Sequence, residues 1–300
     1  MSVADLTSME RLQWWLHLLF RKLPIPVASG AGAYLGKLGM RWHILAKKKW
    51  VERFHRNYRQ LFGDASAREI KRCMVRYGEC TGRTYAEYAV NDRFYRSSYL
   101  RFTGLEHFEN LPRAPILLTA HLGNYELAAS CLAFNGTPVS TISDLSLSSI
   151  DRLIAVESRK RCFAHAPGGH MIQAGASTMR HVLEEMQQGR VIVVYCDEFK
   201  DGLLWGPSLG RDVPLRGNRV LAAKLALRFG APIIPTRIRR EKGCHMVSIV
   251  EPPLFTPAHD QCGFEELAAR IDVKIEAWVR EDYDQWYWAT KLVMDRQFPK

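Results

Sequence analysis

The chain has 300 residues, 47% hydrophobic and 24% charged, a composition too apolar for a disordered polymer and long enough for one large α/β domain or two modest ones. Its 42 Lys and Arg against 31 Asp and Glu leave a net charge of +11, which favours an acidic partner such as an anionic lipid surface, a phosphorylated lipid, an acidic carrier protein or nucleic acid. Seven cysteines scattered singly, with no C-x-x-C pair, exclude a zinc ribbon and a disulfide framework and point to reduced thiols in a cytosolic setting.

The first predicted element is a helix. In "MERLQWWLHLLFRKLPIP" the stretch Trp14 to Phe20 is apolar apart from His17, is flanked by Arg11, Arg21 and Lys22, and is ended by Pro24 and Pro26. Two tryptophans beside arginines suit a membrane interface, with the apolar side in the headgroup layer and the cations on anionic lipid. The same helix packed on its own domain is the plainer alternative. No run of about 18 apolar residues occurs, so no bilayer-spanning helix is predicted. No small-residue cleavage site follows the apolar patch, which argues against a removed signal peptide.

Beyond the prolines, Val27 to Phe62 begins with small residues that predict close packing against a neighbour. Its second half carries Lys47, Lys48, Lys49, Arg53, Arg56 and Arg59, either a solvated helix face or a docking surface for an acidic partner. The next helix opens at Asp64 or Ser66, with Glu69 three residues after Ser66 at the capping-box spacing.

From Phe94 onward the pattern alternates. Strands are predicted at Pro115 to Thr119, Pro138 to Ile142, Val191 to Cys196, Pro232 to Ile238 and Met246 to Val250. Helices are predicted near Asn124 to Phe134, Ser148 to Arg161, Ile172 to Gln188 and Asn218 to Phe229, and the chain ends in a long helix with an aromatic cluster. This spacing implies an α/β fold with a mixed, largely parallel sheet flanked by helices. There is no repeat or low-complexity linker, so residues 93–300 are expected to form one integrated α/β unit behind a helical N-terminal region of residues 1–92.

In "TAHLGNYELAAS" the apolar strand ends at His121, and Asn124 is a good N-cap for the following helix, which puts Glu126 in its first turn. Residues five apart on one uninterrupted helix point about 140° apart, so only the intervening turn lets Glu126 reach the ring. A Glu there suits the Nδ1–H of His121, leaving Nε2 to take a proton from a hydroxyl. A first-turn Glu also complements the helix dipole without any catalytic task. No G-x-S-x-G elbow and no cysteine in a nucleophile context favours a covalent acyl-enzyme.

The H-x-x-x-x-E of His121 to Glu126, with Gly123 and Asn124 inside it, resembles the H-x4-D/E motif of the glycerolipid and lipid A acyltransferase superfamily. Four further segments resemble the bacterial lipid A late acyltransferase branch in comparable order. They are "WWLHLLFRKLPIPVASGAGAYLGKLG", "GHMIQAGASTMRHVLEEMQQGRVIVVYCDEF", "VPLRGNRVLAAKLALRFGAPIIPTRIRR" and "IEAWVREDYDQWYWATKLV", so the likeness covers nearly the whole chain.

The resemblance implies that His121 is the general base and Glu126 its orienter, and that an acceptor hydroxyl attacks the thioester of an acyl donor. The later acidic position corresponds to Asp197 with Glu198 beside it, adjacent here where the family separates its two acids by one residue. The family also places a supporting Arg between the motifs. Arg159, Arg161 and Arg180 are the nearest, and His170 occupies the more natural position.

With Asn124, His170, Asp197 and Glu198, the loop residues Arg216 and Arg219 complete the candidate substrate-binding set. "VPLRGNRVLAAKLA" enters a helix, where guanidinium and backbone N–H groups suit an anionic headgroup or carrier phosphate, unless Gly217 only permits a turn. "APIIPTRI" suits either an acyl slot or ordinary core.

The resemblance thus implies an acyltransferase with no metal or redox cofactor. Acyl carrier protein or coenzyme A would bring the donor, and the acceptor would be a membrane lipid or glycolipid. The protein would lie peripherally or monotopically on the cytoplasmic side of the inner membrane. The alternatives are a lysophospholipid or other amphiphile acyltransferase using acyl-coenzyme A, and a noncatalytic membrane lipid-binding protein. Nucleic-acid binding finds no recognition-helix or RNA-binding aromatic signature.

Overall fold

The computed structural model describes residues 6–111, 113–134, 136–143, 149–164, 169–296 and 298. Helix α1 (Ser8–Phe20) starts at Thr7, whose hydroxyl accepts from the Glu10 N–H while the Glu10 carboxylate accepts from the Thr7 N–H, a complete capping box. Pro24 is the N-cap of α2 (Ile25–Leu45), with Pro26 inside its first turn, where the missing N–H has no helical partner to lose. The stretch Val27 to Phe62 divides where Lys47 takes φ +46, and α3 (Lys49–Phe62) follows. Helix α4 (Ala67–Glu87) starts at Ser66 with the same reciprocal box to Glu69, so Ser66 rather than Asp64 is the cap.

The small residues of α2 do pack closely. Gly36 meets the backbone of Gly78 on α4, and a Cβ added at Gly78 would lie 2.7 Å from the Gly36 carbonyl.

Next come α5 (Asn91–Phe94), β1 (Leu100–Thr103), β2 (Ile116–Thr119), α6 (Leu127–Phe134), β3 (Val139–Ser143), α7 (Ser149–Ala164), β4 (Gly169–Gln173) and α8 (Thr178–Gln187). The chain then forms β5 (Val191–Tyr195), a small hairpin of β6 (Phe199–Lys200) and β7 (Leu203–Leu204), α9 (Asn218–Phe229), β8 (Ile233–Lys242), β9 (His245–Val250) and α10 (Phe264–Glu281). Two 3-10 turns, Tyr283–Gln285 and Tyr287–Thr290, follow α10.

Seven strands form one sheet in the order β1-β9-β8-β2-β5-β3-β4, parallel throughout except between β8 and β9. Those two share a hairpin through Gly243 at φ +59.

Side chains alternate across the sheet as the period of two requires. Ile116, Leu118, Ile192 and Val194 join the large core that includes Ala222 of α9, Ile271 of α10 and Phe54 of α3. Leu117, Val191 and Val193 face the other way onto Ala129 and Leu132 of α6. Strands buried on both sides read as continuous apolar runs, which is why β2 and β5 stand out in the sequence. Ile233 and Ile234 of "APIIPTRI" are fully buried core residues.

Two sequence expectations change, and a third cannot be placed. Gly169–Gln173 is the edge strand β4 beside β3, so the helix expected from Ile172 begins at Thr178. Helix α6 begins at Leu127 instead of near Asn124, because residues 120–126 form the turn described below. Ser148, the expected start of α7, lies outside the described residues.

Candidate active site

Strands β2 and β5 are parallel neighbours with Thr119 paired to Tyr195, so the residues two places past each end, His121 and Asp197, emerge side by side at the C-terminal edge of the sheet. In open α/β sheets this edge is where ligands are received. His121 Nδ1 lies 2.8 Å from Asp197 Oδ1, and the His121 backbone N–H donates to Asp197 Oδ2 at 2.8 Å. Asp197 is fully buried, and the indole of Trp286, also fully buried, donates to its Oδ2 at 2.9 Å. A buried carboxylate needs such donors, and these fix its orientation.

With Nδ1–H given to Asp197, Trp288 Nε1–H at 3.2 Å from the same nitrogen is a packing contact between two donors. The His121 ring also packs on Tyr125 and Tyr195, with centroids 4.7 and 4.6 Å away. Nε2 has no hydrogen-bond partner among the described residues, and the side chain keeps 21% of its surface exposed. It is the ring nitrogen open to a substrate.

The turn carrying His121 is held from behind. Gly123 adopts φ +58, and a Cβ there would lie 2.7 Å from the Ile238 carbonyl of β8, so only glycine fits. Gly123 N–H donates to the Gln285 carbonyl at 3.1 Å, and Tyr287 N–H donates to the His121 carbonyl at 2.9 Å. The C-terminal aromatic segment is therefore a wall of the site.

Glu126 does not bond to His121, which corrects the expected pair. It lies in the turn before α6, and its carboxylate takes a bidentate pair from Arg159 of α7, Nε to Oε2 at 2.6 Å and Nη2 to Oε1 at 2.7 Å. Burial alone would lower the Arg159 pKa, but the charge and hydrogen bonds of Glu126 outweigh it and hold the guanidinium above the ordinary arginine value. The strand register, which brings Asp197 to the ring, decides the His121 partner.

The sequence model of the family described as bacterial lipid A biosynthesis acyltransferase matches residues 8–293. The chain belongs to this family. The match runs from α1 to the segment beyond the last 3-10 turn, so the family unit includes both the N-terminal helices and the aromatic wall. No individually curated protein matches the chain. Acyl transfer within lipid A biosynthesis is the activity this family carries.

In this acyltransferase the remaining candidates have distinct positions. Asn124 is fully buried, and its Nδ2 donates to Glu87 Oε2 at 3.0 Å and Asn91 Oδ1 at 2.9 Å, so it belongs to an internal network and not to a substrate surface. His170 corrects in the same way. It pairs with Glu185 at 3.1 Å, and its register partner Ser140 is level with Ile192 and Ile116, which sets it at the start of the strands, opposite His121.

Asp197 and Glu198 divide their work. Glu198 Oε2 accepts the Asn218 N–H at 3.1 Å and so caps α9. Arg219 is buried, with Nη1 on Asp272 and Nη2 on the Pro214 carbonyl at 3.0 Å, which removes it from the headgroup-binding set. Arg216, in the bend before α9, is exposed and has no ion-pair partner among the described residues.

Trp286, Trp288, Tyr125 and Tyr195 also line the site, although no motif in the sequence marks them. The cue for Tyr125 and Tyr195 was their position within four residues of His121 and Asp197. Cys196 beside Asp197 is no nucleophile, because burial first and the Asp197 charge second push its thiol well above the usual range. Among the described residues no group of three or more His, Cys, Asp or Glu could hold a metal ion.

Proposed function

We propose that this enzyme moves a fatty acyl group from an acyl carrier protein or coenzyme A thioester to a hydroxyl of a lipid or glycolipid acceptor of the lipid A precursor kind, with His121 as general base. The observation that carries this reading is the clamp on Nδ1: buried Asp197 fixes the tautomer and leaves Nε2 without a partner among the described residues. The acceptor O–H gives its proton to Nε2 as the oxygen attacks the thioester carbonyl. The tetrahedral intermediate then expels the thiolate, which takes the proton back from Nε2. Asp197 stabilises the imidazolium formed between these steps, and a thioester supplies an already activated carbonyl. The Glu126–Arg159 pair braces the same turn from the α7 side.

The reading places the reaction at a membrane, on the cytoplasmic side of the inner membrane. Helices α1 and α2 expose Leu12, Trp15, Leu19, Leu38, Trp42 and Leu45, a concentration of large apolar side chains of the kind that marks a membrane or partner surface. Lys22 and Arg41 are exposed beside these residues and suit anionic headgroups. No helix among the described residues is long and apolar enough to cross a bilayer, so the contact proposed is peripheral.

The test is transfer of a labelled acyl group to a total lipid extract by the detergent-purified protein, with carrier-protein and coenzyme A thioesters offered separately. Transfer that disappears in His121→Ala supports the reading. Equal turnover by wild type and His121→Ala overturns the assigned base.

A further inference from the structure

Residues 47–76 hold ten Lys and Arg against three Asp and Glu, a local excess of seven in a chain whose net charge is +11. Lys47, Lys48, Lys49, Arg56 and Arg59 in and before α3 are exposed. A groove of about 510 Å³ runs between the end of α2 and α3, with Ile44 and Val51 in its lining and Lys47, His55, Arg56 and Arg59 around them; Glu52 is its only acid.

This face differs from the lipid-facing one. The large exposed apolar residues of the N-terminal half are concentrated on α1 and α2, and α3 exposes none. A surface that enters the headgroup layer needs apolar side chains as well as cations. The α3 face offers cations around a narrow apolar groove, the complement of an acidic helix with a few apolar side chains.

It also adjoins the site. Arg53 Nη2 of α3 donates to the Thr290 carbonyl at 2.8 Å, and Asn57 Nδ2 donates to the Leu292 carbonyl at 2.8 Å. Thr290 ends the 3-10 turn whose Trp288 packs 5.2 Å, centroid to centroid, from the His121 ring. The aromatic wall thus links α3 to the candidate base.

We propose that the basic face of α3, with its groove, is the docking surface for an acidic carrier protein that presents the acyl thioester to His121. This rests on the thioester-donor reading above and chooses the carrier protein over coenzyme A as the donor served by this face. The Arg56–Asp295 pair does not oppose docking: it spans 3.4 Å between side chains each more than 60% exposed, so a partner's carboxylates exchange with it at little cost.

The experiment compares wild type with the charge-reversed Arg56→Glu/Arg59→Glu protein on two donors carrying the same acyl group. One is an acidic acyl carrier protein, and the other is the pantetheine thioester, which has neither protein nor phosphate. Both positions are exposed, so the variant is expected to keep its thermal midpoint. The expected result is a KM for the carrier-bound donor raised about ten-fold or more, with its salt dependence weakened. kcat, pantetheine-thioester turnover and co-sedimentation with phosphatidylglycerol vesicles stay unchanged.

An unchanged KM for the carrier overturns the proposal. So does a KM shift that accompanies lost vesicle binding, which assigns the face to the membrane. Wild-type protein inert on both donors defeats the thioester reading itself, an outcome distinct from either.

Discussion

His121 Nδ1 and Asp197 Oδ1 stand 2.8 Å apart across 76 residues of chain, and the carboxylate has no contact with solvent. This relationship makes Asp197, not Glu126, the group that sets the ring's tautomer. Asp197→Asn keeps the shape but removes the charge that stabilises an imidazolium, and it permits the amide to donate to Nδ1, which would favour the wrong tautomer. The expected loss is about 10³- to 10⁴-fold in kcat with little change in KM. Glu126→Gln, which keeps one acceptor for Arg159, is expected to lose much less. Steady-state kinetics on both variants decides between the two carboxylates, and a larger loss in Glu126→Gln would reverse the assignment.

Much of the fold was legible in the sequence because local physics carries it. The apolar runs of β2 and β5, the capping box at Ser66, and the proline break before α2 each depend on neighbours within a few residues. His121 was legible for the same reason, at the end of an apolar strand and before a turn. Its partner was not, because the pairing of β2 with β5 depends on sheet order, which no local pattern encodes. The spacing of His121 to Glu126 drew attention to the nearer carboxylate, while the observed start of α6 leaves Glu126 bound to Arg159. Strand β4 was missed because Gly169–Gln173 is a short edge strand without a continuous apolar run. Arg219 looked like a ligand-binding arginine because its partner Asp272 lies 53 residues away.

The turn carrying His121 rests on a second buried pair. Glu87 accepts from Arg240 at 2.8 and 2.6 Å, from Ser29 at 2.7 Å and from Asn124 at 3.0 Å, and both charged side chains are almost wholly buried. Glu87→Ala leaves Arg240 charged, buried and short of its main acceptor. The expected cost is about 3–5 kcal/mol, and the paired Glu87→Met/Arg240→Met protein should lose less than that single variant. Urea unfolding of the two proteins and wild type measures the difference. A double variant that loses as much as Glu87→Ala or more would show that the pair does not act as a unit.

Helices α2 and α4 meet at backbone distance through Gly36, Gly78 and Gly82. A methyl group at Gly36 has backbone on the far side, which cannot rotate away as a side chain tip can. Alanine is the better helix former by roughly 1 kcal/mol in an open helix, so any net destabilisation reports the contact. Gly36→Ala is expected to lower stability by about 1–3 kcal/mol. Gly39→Ala, where a Cβ meets nothing within 4 Å, should be neutral or stabilising. Thermal midpoints of the two variants against wild type test the contrast, and equal effects would refute the close packing.

Helix α1 is tied to α7 by one carboxylate. Glu157 holds His17 Nε2 at 3.0 Å, Arg21 Nη1 at 3.0 Å and Arg161 Nε at 2.8 Å. Burial alone would raise its pKa, but the hydrogen bond from His17 and the charges of Arg161 and Arg21 hold it below the ordinary value of 4.5. A carboxyl depressed in the folded state contributes stability that is fully present above the unfolded value and is lost as pH falls through the folded one. The contribution of the Glu157 charge to the grip of α1 should therefore be complete above 4.5 and be lost only in more acid solution. Glu157→Gln removes the charge at every pH, so amide exchange along α1 should already be fast at neutral pH in the variant and accelerate in acid only in wild type. Equal protection of α1 in both proteins at neutral pH would mean that packing against α7, and not this carboxylate, holds the helix.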